Sequence, residues 1–179
     1  KTAEELHHFI AGIFRNPGDD DLEIRQKLGL TPNEEFPIKH ELLIEKFIDK
    51  GNAARFLEIT GGMLTHKNED GSIRYEVFEP SEALAESEIL SLEEKFLAGQ
   101  GQNLTPSRFS RNPVEQARIS QEVRNTLEAV ARCLEVTGYC RIDAFVKIME
   151  DGSIETWIIE VNSLPGMTPA TCIYHQAAI

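Results

Sequence analysis

The stretch YCRIDAFVKIMEDGSIETWIIEVN, residues 139–162, constrains this chain most: two runs rich in β-branched and aromatic residues, with Asp151-Gly152 between them. Asp-Gly between such runs signals a two-residue type I′ hairpin turn, and a turn of fixed length fixes the register. Paired residue numbers then add to a constant. Glu150 faces Ser153, Val146 faces Trp157, Ile142 faces Val161, Asp143 faces Glu160 and Arg141 faces Asn162. Side chains alternate across a sheet, so one face carries Ile142, Ala144, Val146, Trp157, Ile159 and Val161 and belongs to the core. The other gathers Arg141, Asp143, Glu160 and Asn162 at one end.

Two carboxylates directly opposed across strands have Cβ atoms about 5 Å apart and repel each other. A fold tolerates the pair when something positive lies between them. Magnesium, or manganese in its place, takes hard oxygen ligands and neutralises both charges. Asn162 adds an amide oxygen on the same face, and Arg141 adds a fixed cation whose fork suits phosphate oxygens. The bland alternative is an exposed sheet face on which Arg141 merely neutralises Asp143. The following loop favours the functional reading, because Pro165-Gly166 ends regular structure and lets backbone N–H groups approach a ligand, as oxyanion sites require.

Upstream, Thr2 and Glu5 form a capping box before a helix with Leu6, Phe9, Ile10, Ile13 and Phe14 on one face. Residues 16–40 read as a surface insertion with one short helix near Asp21–Leu28. Residues 41–48, ELLIEKFI, read as a buried strand. Two further strands, RFLEITGGMLTH and SIRYEVFEP, are joined around Asn68-Glu69-Asp70-Gly71. SLEEKFLAGQGQNLTP follows, with a polar, flexible centre from Gly99 to Asn103. The longest helix is expected over residues 113–137, with Val123, Leu127, Val130, Ala131 and Leu134 on its apolar face and Gly138 as its cap.

With 41% hydrophobic and 27% charged residues among 179, the composition is that of a globular protein. A net charge of -12 argues against nucleic acid or an anionic membrane as the main partner, since both call for basic patches. No apolar run approaches 18 residues and no signal-peptide pattern is present, so the expected location is the cytoplasm. Cys133, Cys140 and Cys172 lack metal-type spacing and read as reduced thiols, Cys133 and Cys140 as small core residues.

On these residues the chain resembles a known family. GYCRIDAF followed by IIEVNSLPGMTPAT resembles the C-terminal signature of D-alanine–D-alanine ligases, within the ATP-grasp superfamily. LLIEKFI resembles that family's adenine-binding hinge strand and EEKFLAGQGQNLTP its mobile lid, residues 95–106. The matches run over residues 41–179 in the family's order. The resemblance implies an α+β fold: a mostly antiparallel sheet with helices on its apolar face, as in the larger ATP-grasp subdomain.

It also implies ATP and magnesium as cofactors, and Asp143, Glu160 and Asn162 as metal ligands. Arg141 would stabilise the acyl-phosphate and the tetrahedral intermediate, the Gly166 amide would meet the oxyanion, and Thr171 would hold the second amino acid's carboxylate. Lys95 would reach the γ-phosphate, while Glu45, Lys46 and Ile48 would meet adenine. Asp49, Asn52 and Glu58 are all candidates for the ribose. Thr171 stands where the family more often has serine, and Cys140 and Ala144 also depart from its preferences.

The implied reaction joins a carboxylate to an amine through an acyl-phosphate, giving ADP and phosphate, with D-alanine or a similar amino acid as substrate and a place in peptidoglycan synthesis. The full-length protein is expected as a homodimer. The chain itself corresponds to the C-terminal part of an ATP-grasp domain and is expected to be inactive alone, because the lobe for the first substrate and the glycine-rich phosphate loop are not in it. The other readings are a D-alanine–D-lactate or dipeptide ligase of the same superfamily, and a nucleotide-binding module without ligase activity.

Overall fold

The structure, a computed structural model, describes residues 2–16, 18–19, 21–31, 36–84, 103–167 and 171–179. They fall into two compact units, Lys1–Phe47 and Ile48–Ile179.

In the first unit, helix α1 (Ala3–Ile13) begins with the expected capping box. The Glu5 N–H donates to Thr2 Oγ1 at 3.2 Å, and the Thr2 N–H donates to Glu5 Oε2 at 2.6 Å. Of its apolar face only Ile13 is buried. Helix α2 (Asp21–Leu28) forms where the sequence placed it. Residues 16–40 are partly packed: a Cβ on Gly12 would lie 2.8 Å from Ile24 and 2.7 Å from Phe36, which is buried. Arg15 fixes this loop by donating to the Gly12 and Phe36 carbonyls, each at 2.8 Å.

The buried strand expected over residues 41–48 is not formed. Those residues have no regular structure, and Leu43, Ile44 and Phe47 are 82%, 89% and 72% exposed. An apolar run becomes a strand only where a neighbouring strand satisfies its backbone. The regular elements described in the first unit are helices and provide none.

The second unit is a six-stranded antiparallel sheet in the order β4-β3-β1-β5-β6, with β2 also paired to β1. Its strands are β1 (Arg55–Lys67), β2 (Ile73–Val77), β3 (Ser81–Ala83), β4 (Asn103–Leu104), β5 (Tyr139–Ile148) and β6 (Ile154–Asn162). This is the fold class expected. Helix α3 (Pro113–Cys133) covers one face, burying Ile119, Val123, Leu127 and Ala131 against Leu57, Ile59, Met63, Cys140, Ile142, Ala144 and Val146. The approach is close because Gly61 has no side chain: a Cβ there would lie 2.3 Å from Leu127 Cδ1. A short helix, α4 (Cys172–Ala177), lies against the other face, with Ile173 and Gln176 against Gly62. Among the described residues no helix is long and apolar enough to cross a membrane.

Helix α3 stops four residues short of the expected Thr137. The Val136 N–H bonds the Ala131 carbonyl and the Glu135 N–H bonds that of Arg132, while Glu135 has φ 52°. These bonds make a Schellman end in which glutamate occupies the left-handed position usually held by glycine. Leu134 and Cys133 are exposed rather than in the core. Cys140 is fully buried, as expected.

The β5–β6 hairpin differs from its expected geometry twice, and the differences cancel. The Met149 N–H donates to the Ser153 carbonyl at 2.9 Å and the Gly152 N–H to the Met149 carbonyl at 3.0 Å. The connection is therefore a three-residue loop, Glu150-Asp151-Gly152, with Gly152 at φ 80°, not a two-residue turn. Pairing starts one residue out of the expected register: Val146 faces Thr156, and Phe145 faces Trp157. A bulge on β6 at Ile159 restores it, so Asp143 faces Glu160, Ile142 faces Val161 and Arg141 faces Asn162 as derived. Trp157 accordingly lies on the face opposite the core, beside Phe145. Ile159, the unpaired bulge residue, is 38% exposed and is not a core residue.

Candidate functional site

Arg141 and Asp143 alternate with buried Cys140, Ile142 and Ala144 on β5 and so point away from α3. Glu160 and Asn162 meet them from β6, and Thr60 and Gly62 face the same two positions from β1. The Arg141 guanidinium forks over Asp143, with Nε donating to Oδ1 at 3.1 Å and Nη2 to Oδ2 at 3.0 Å. Nη2 also donates to Glu160 Oε1 at 3.3 Å. The Asp143 side chain is only 13% exposed, whereas that of Glu160 is 58% exposed. The Thr60 hydroxyl donates to Asp143 Oδ1 at 2.6 Å.

In this arrangement the arginine offsets the carboxylate repulsion. The local sum is still one negative charge, and every acceptor is a hard oxygen. Two carboxylates and an amide are too few to saturate magnesium, leaving positions for water and phosphate oxygens, as nucleotide-bound magnesium requires. The donor set therefore fits that ion.

Asn162 leads into the loop, its Oδ1 accepting the Leu164 N–H at 3.1 Å. Gly166 and Thr171 are brought together: a Cβ on Gly166 would lie 3.6 Å from Thr171 Cγ2. Thr171 is the N-cap of α4, and the next residue, Cys172, feels both Arg141 and Asp143. Burial raises the Cys172 thiol above its usual range; Arg141 opposes that shift and Asp143 adds to it.

The remaining sequence candidates stand elsewhere. Lys95 lies outside the described residues, as do residues 95–102 of the expected lid; the end of that stretch is β4, paired with β3. Glu45 and Lys46 are exposed chain in the first unit, and Ile48 is half-buried at the start of the second. Two features were missed from sequence. Thr60 is one, since its place beside Asp143 depends on the long-range β1–β5 register. The other is an aromatic surface two residues along β5 from Asp143, where the rings of Phe145 and Phe56 lie 4.9 Å apart and Trp157 is the cross-strand neighbour. Alternation along β5 could have found it. A cavity of about 720 Å³ lined by Arg55, Arg108, Phe109, Glu115 and Ile148 lies at the other end of β1 and β5, and Arg108 there is already paired with Glu82 at 3.0 Å.

A family model described as "D-ala D-ala ligase C-terminus" matches residues 22–178. A D-alanine–D-alanine ligase of Carboxydothermus hydrogenoformans is 24% identical over 86% of this chain and 42% of its own length. One of Halalkalibacterium halodurans is 29% identical over 99% of this chain and 58% of its own length. The crystal structure of D-alanyl-alanine synthetase A from Vibrio cholerae shares 21% identity and a TM-score of 0.45, over 70% of this chain and 34% of that one. The chain spans about half the length of these two ligases.

Proposed function

Because the chain belongs to the family of D-ala D-ala ligase C-termini, we propose that it forms the metal- and phosphate-binding side of an ATP-dependent ligase joining a carboxylate to an amine. The reaction proceeds through an acyl-phosphate and releases ADP and phosphate. D-alanine, or a similar amino acid, is the substrate, in a cytoplasmic step toward peptidoglycan. The observation that carries this reading is the Asp143–Glu160 cross-strand pair with one arginine nitrogen bonded to both carboxylates.

In this reading Asp143, Glu160 and Asn162 hold magnesium. An ion held by these three residues would supply charge neutralisation for the transferring phosphoryl oxygens. Arg141 contributes a permanent cation with fixed fork geometry to the acyl-phosphate and then to the tetrahedral oxyanion. The Gly166 N–H donates to that oxyanion, and Thr171 beside it holds the carboxylate of the incoming amino acid. Lys95 serves the γ-phosphate. Glu45, Lys46 and Ile48 serve the adenine. By itself the chain grips ATP from one side, so it binds nucleotide weakly and does not turn over.

The test is ADP release by the protein that carries this chain, with D-alanine alone and then with D-alanine plus D-lactate or another amino acid. D-alanine-dependent ADP release is expected. Nucleotide binding with no release for any of these acceptors would overturn the ligase reading in favour of a binding module.

A further inference from the structure

The edge of β1 away from β5 is shared by two strands: β3 pairs with Ile59 and Thr60, and β2 pairs from Met63 onward. Where one partner gives way to the other, β1 turns to a side chain. Gln176, on α4 and 3% exposed, donates from Nε2 to the Thr60 carbonyl at 2.8 Å and accepts the Gly62 N–H on Oε1 at 2.8 Å. One carboxamide thus serves residues two apart on β1, as a neighbouring strand would. Nε2 also donates to Ser81 Oγ at 2.9 Å on β3. Gly62 makes the room, since a Cβ there would lie 2.4 Å from Gln176 Oε1. A buried amide with every arm engaged holds its neighbours in one geometry.

Thr60, held in this way by its backbone, donates its hydroxyl to Asp143. We propose that Gln176 is a positioning residue for the Asp143 carboxylate: it fixes the Thr60 backbone at the gap in β1, and Thr60 in turn orients Asp143 toward the metal. The inference rests on the reading of Asp143 as a metal ligand. Residues that orient a metal ligand typically contribute about 10- to 100-fold in metal affinity. The relay ties α4, which follows the Gly166 loop, to the strand partner of Asp143, so the acceptor side and the metal side of the site share one buried amide.

The experiment is a titration of the full 179-residue chain with Mn²⁺ in the absence of nucleotide, followed by electron paramagnetic resonance, alongside thermal melting. Wild type and the variants Asp143→Asn, Thr60→Val, Gln176→Met and the double variant Thr60→Val/Gln176→Met are compared. Thr60→Val and Gln176→Met should each weaken Mn²⁺ binding about 10-fold. The double variant should bind no more weakly than Thr60→Val alone, although it melts lower than either single variant. A purely structural glutamine would leave Mn²⁺ affinity unchanged, or would add its full effect on top of Thr60→Val; either result overturns the proposal. If Gln176→Met does not fold, Gln176→Glu replaces it, keeping the acceptor for Gly62 while losing the donor to Thr60, with the same expected loss. Wild-type binding that Asp143→Asn leaves intact would overturn the metal site itself, a result distinct from failure of the glutamine relay alone.

Discussion

Asp143 and Glu160 face each other across β5 and β6, and a single nitrogen of Arg141 bonds one oxygen of each, at 3.0 and 3.3 Å. The two carboxylates are not equivalent. Asp143 is mostly covered and held by Thr60 as well, whereas Glu160 is more than half exposed and, among the described residues, is held at the longer of the two Arg141 Nη2 distances. A group in the position of Glu160 contributes little to folding, so its presence opposite another acid calls for another explanation.

Glu160→Gln separates the two roles. An exposed ion pair is worth about 0–1 kcal/mol, so thermal melting should shift by no more than that range implies. D-alanine-dependent ADP release by the protein carrying this chain should fall about 100-fold or more, since on the proposed reading a charged metal ligand is removed. Near-normal turnover would make the opposed carboxylates structural.

Glu135→Gly should stabilise the second unit. Glutamate at φ 52° carries a steric cost of about 1 kcal/mol that glycine does not, and the Schellman bonds of Val136 and Glu135 are backbone bonds that survive the change. Urea unfolding should show a gain of about 1 kcal/mol. A loss would mean that the glutamate side chain holds the end of α3 by contacts that outweigh its strain.

Strands β1, β2, β5 and β6, the long helix and the face on which the four polar residues gather were legible because each rests on local periodicity, whereas β3 and β4, three and two residues long, are too short to carry a period. The helix end was not: Gly138 looked like a cap, but the chain had already turned at Glu135, whose left-handed backbone no composition rule marks. Residues 41–48 misled for the opposite reason, their apolar run being a true local signal without a strand beside it. At the site, the Asp143–Glu160 pair was derived from a two-residue turn that does not exist, and it holds because the bulge at Ile159 offsets the third loop residue. A better signal was present: Glu-Asp-Gly-Ser-Ile occurs at residues 69–73 and again at 150–154. Thr60 and Gln176 were out of reach, since both act through contacts more than 80 residues apart in sequence.

The cysteines should react in a fixed order. Burial pushes the Cys140 thiol up to about 11, and no part of it reaches solvent, whereas Cys133 is exposed. At pH 8 a disulfide reagent should label Cys133 in the folded chain and Cys140 only after unfolding, because the thiolate is the attacking species. The same shift makes Cys140 a source of alkaline lability. Its contribution is intact below the unfolded value near 9.0 and is lost as pH rises toward about 11, so Cys140→Ala should flatten the stability profile in that window. Labelling of Cys140 at the rate of Cys133 would show that the core under α3 opens readily.

The two Glu-Asp-Gly-Ser turns should titrate alike. In each, the aspartate accepts the serine N–H at 2.9 Å and the serine hydroxyl at 2.6 Å, Asp70 from Ser72 and Asp151 from Ser153. In each the glycine has a positive φ, 84° at Gly71 and 80° at Gly152, and its N–H closes the turn at 3.0 Å. The serine hydroxyl bond, with the backbone bond second, holds both carboxyls below their ordinary value of 3.8. A depressed folded value means that the turn's contribution is present above pH 3.8 and disappears as pH falls through the lowered value. Carboxyl-carbon NMR should therefore show Asp70 and Asp151 as a matched pair titrating below 3.8, and Ser153→Ala should return Asp151 toward the ordinary value while leaving Asp70 where it is. If Asp151 alone titrates normally, the hairpin loop that sets the register of β6 is not the three-residue turn it shares with residues 69–71, and the bulge at Ile159 loses its role in aligning Glu160 with Asp143.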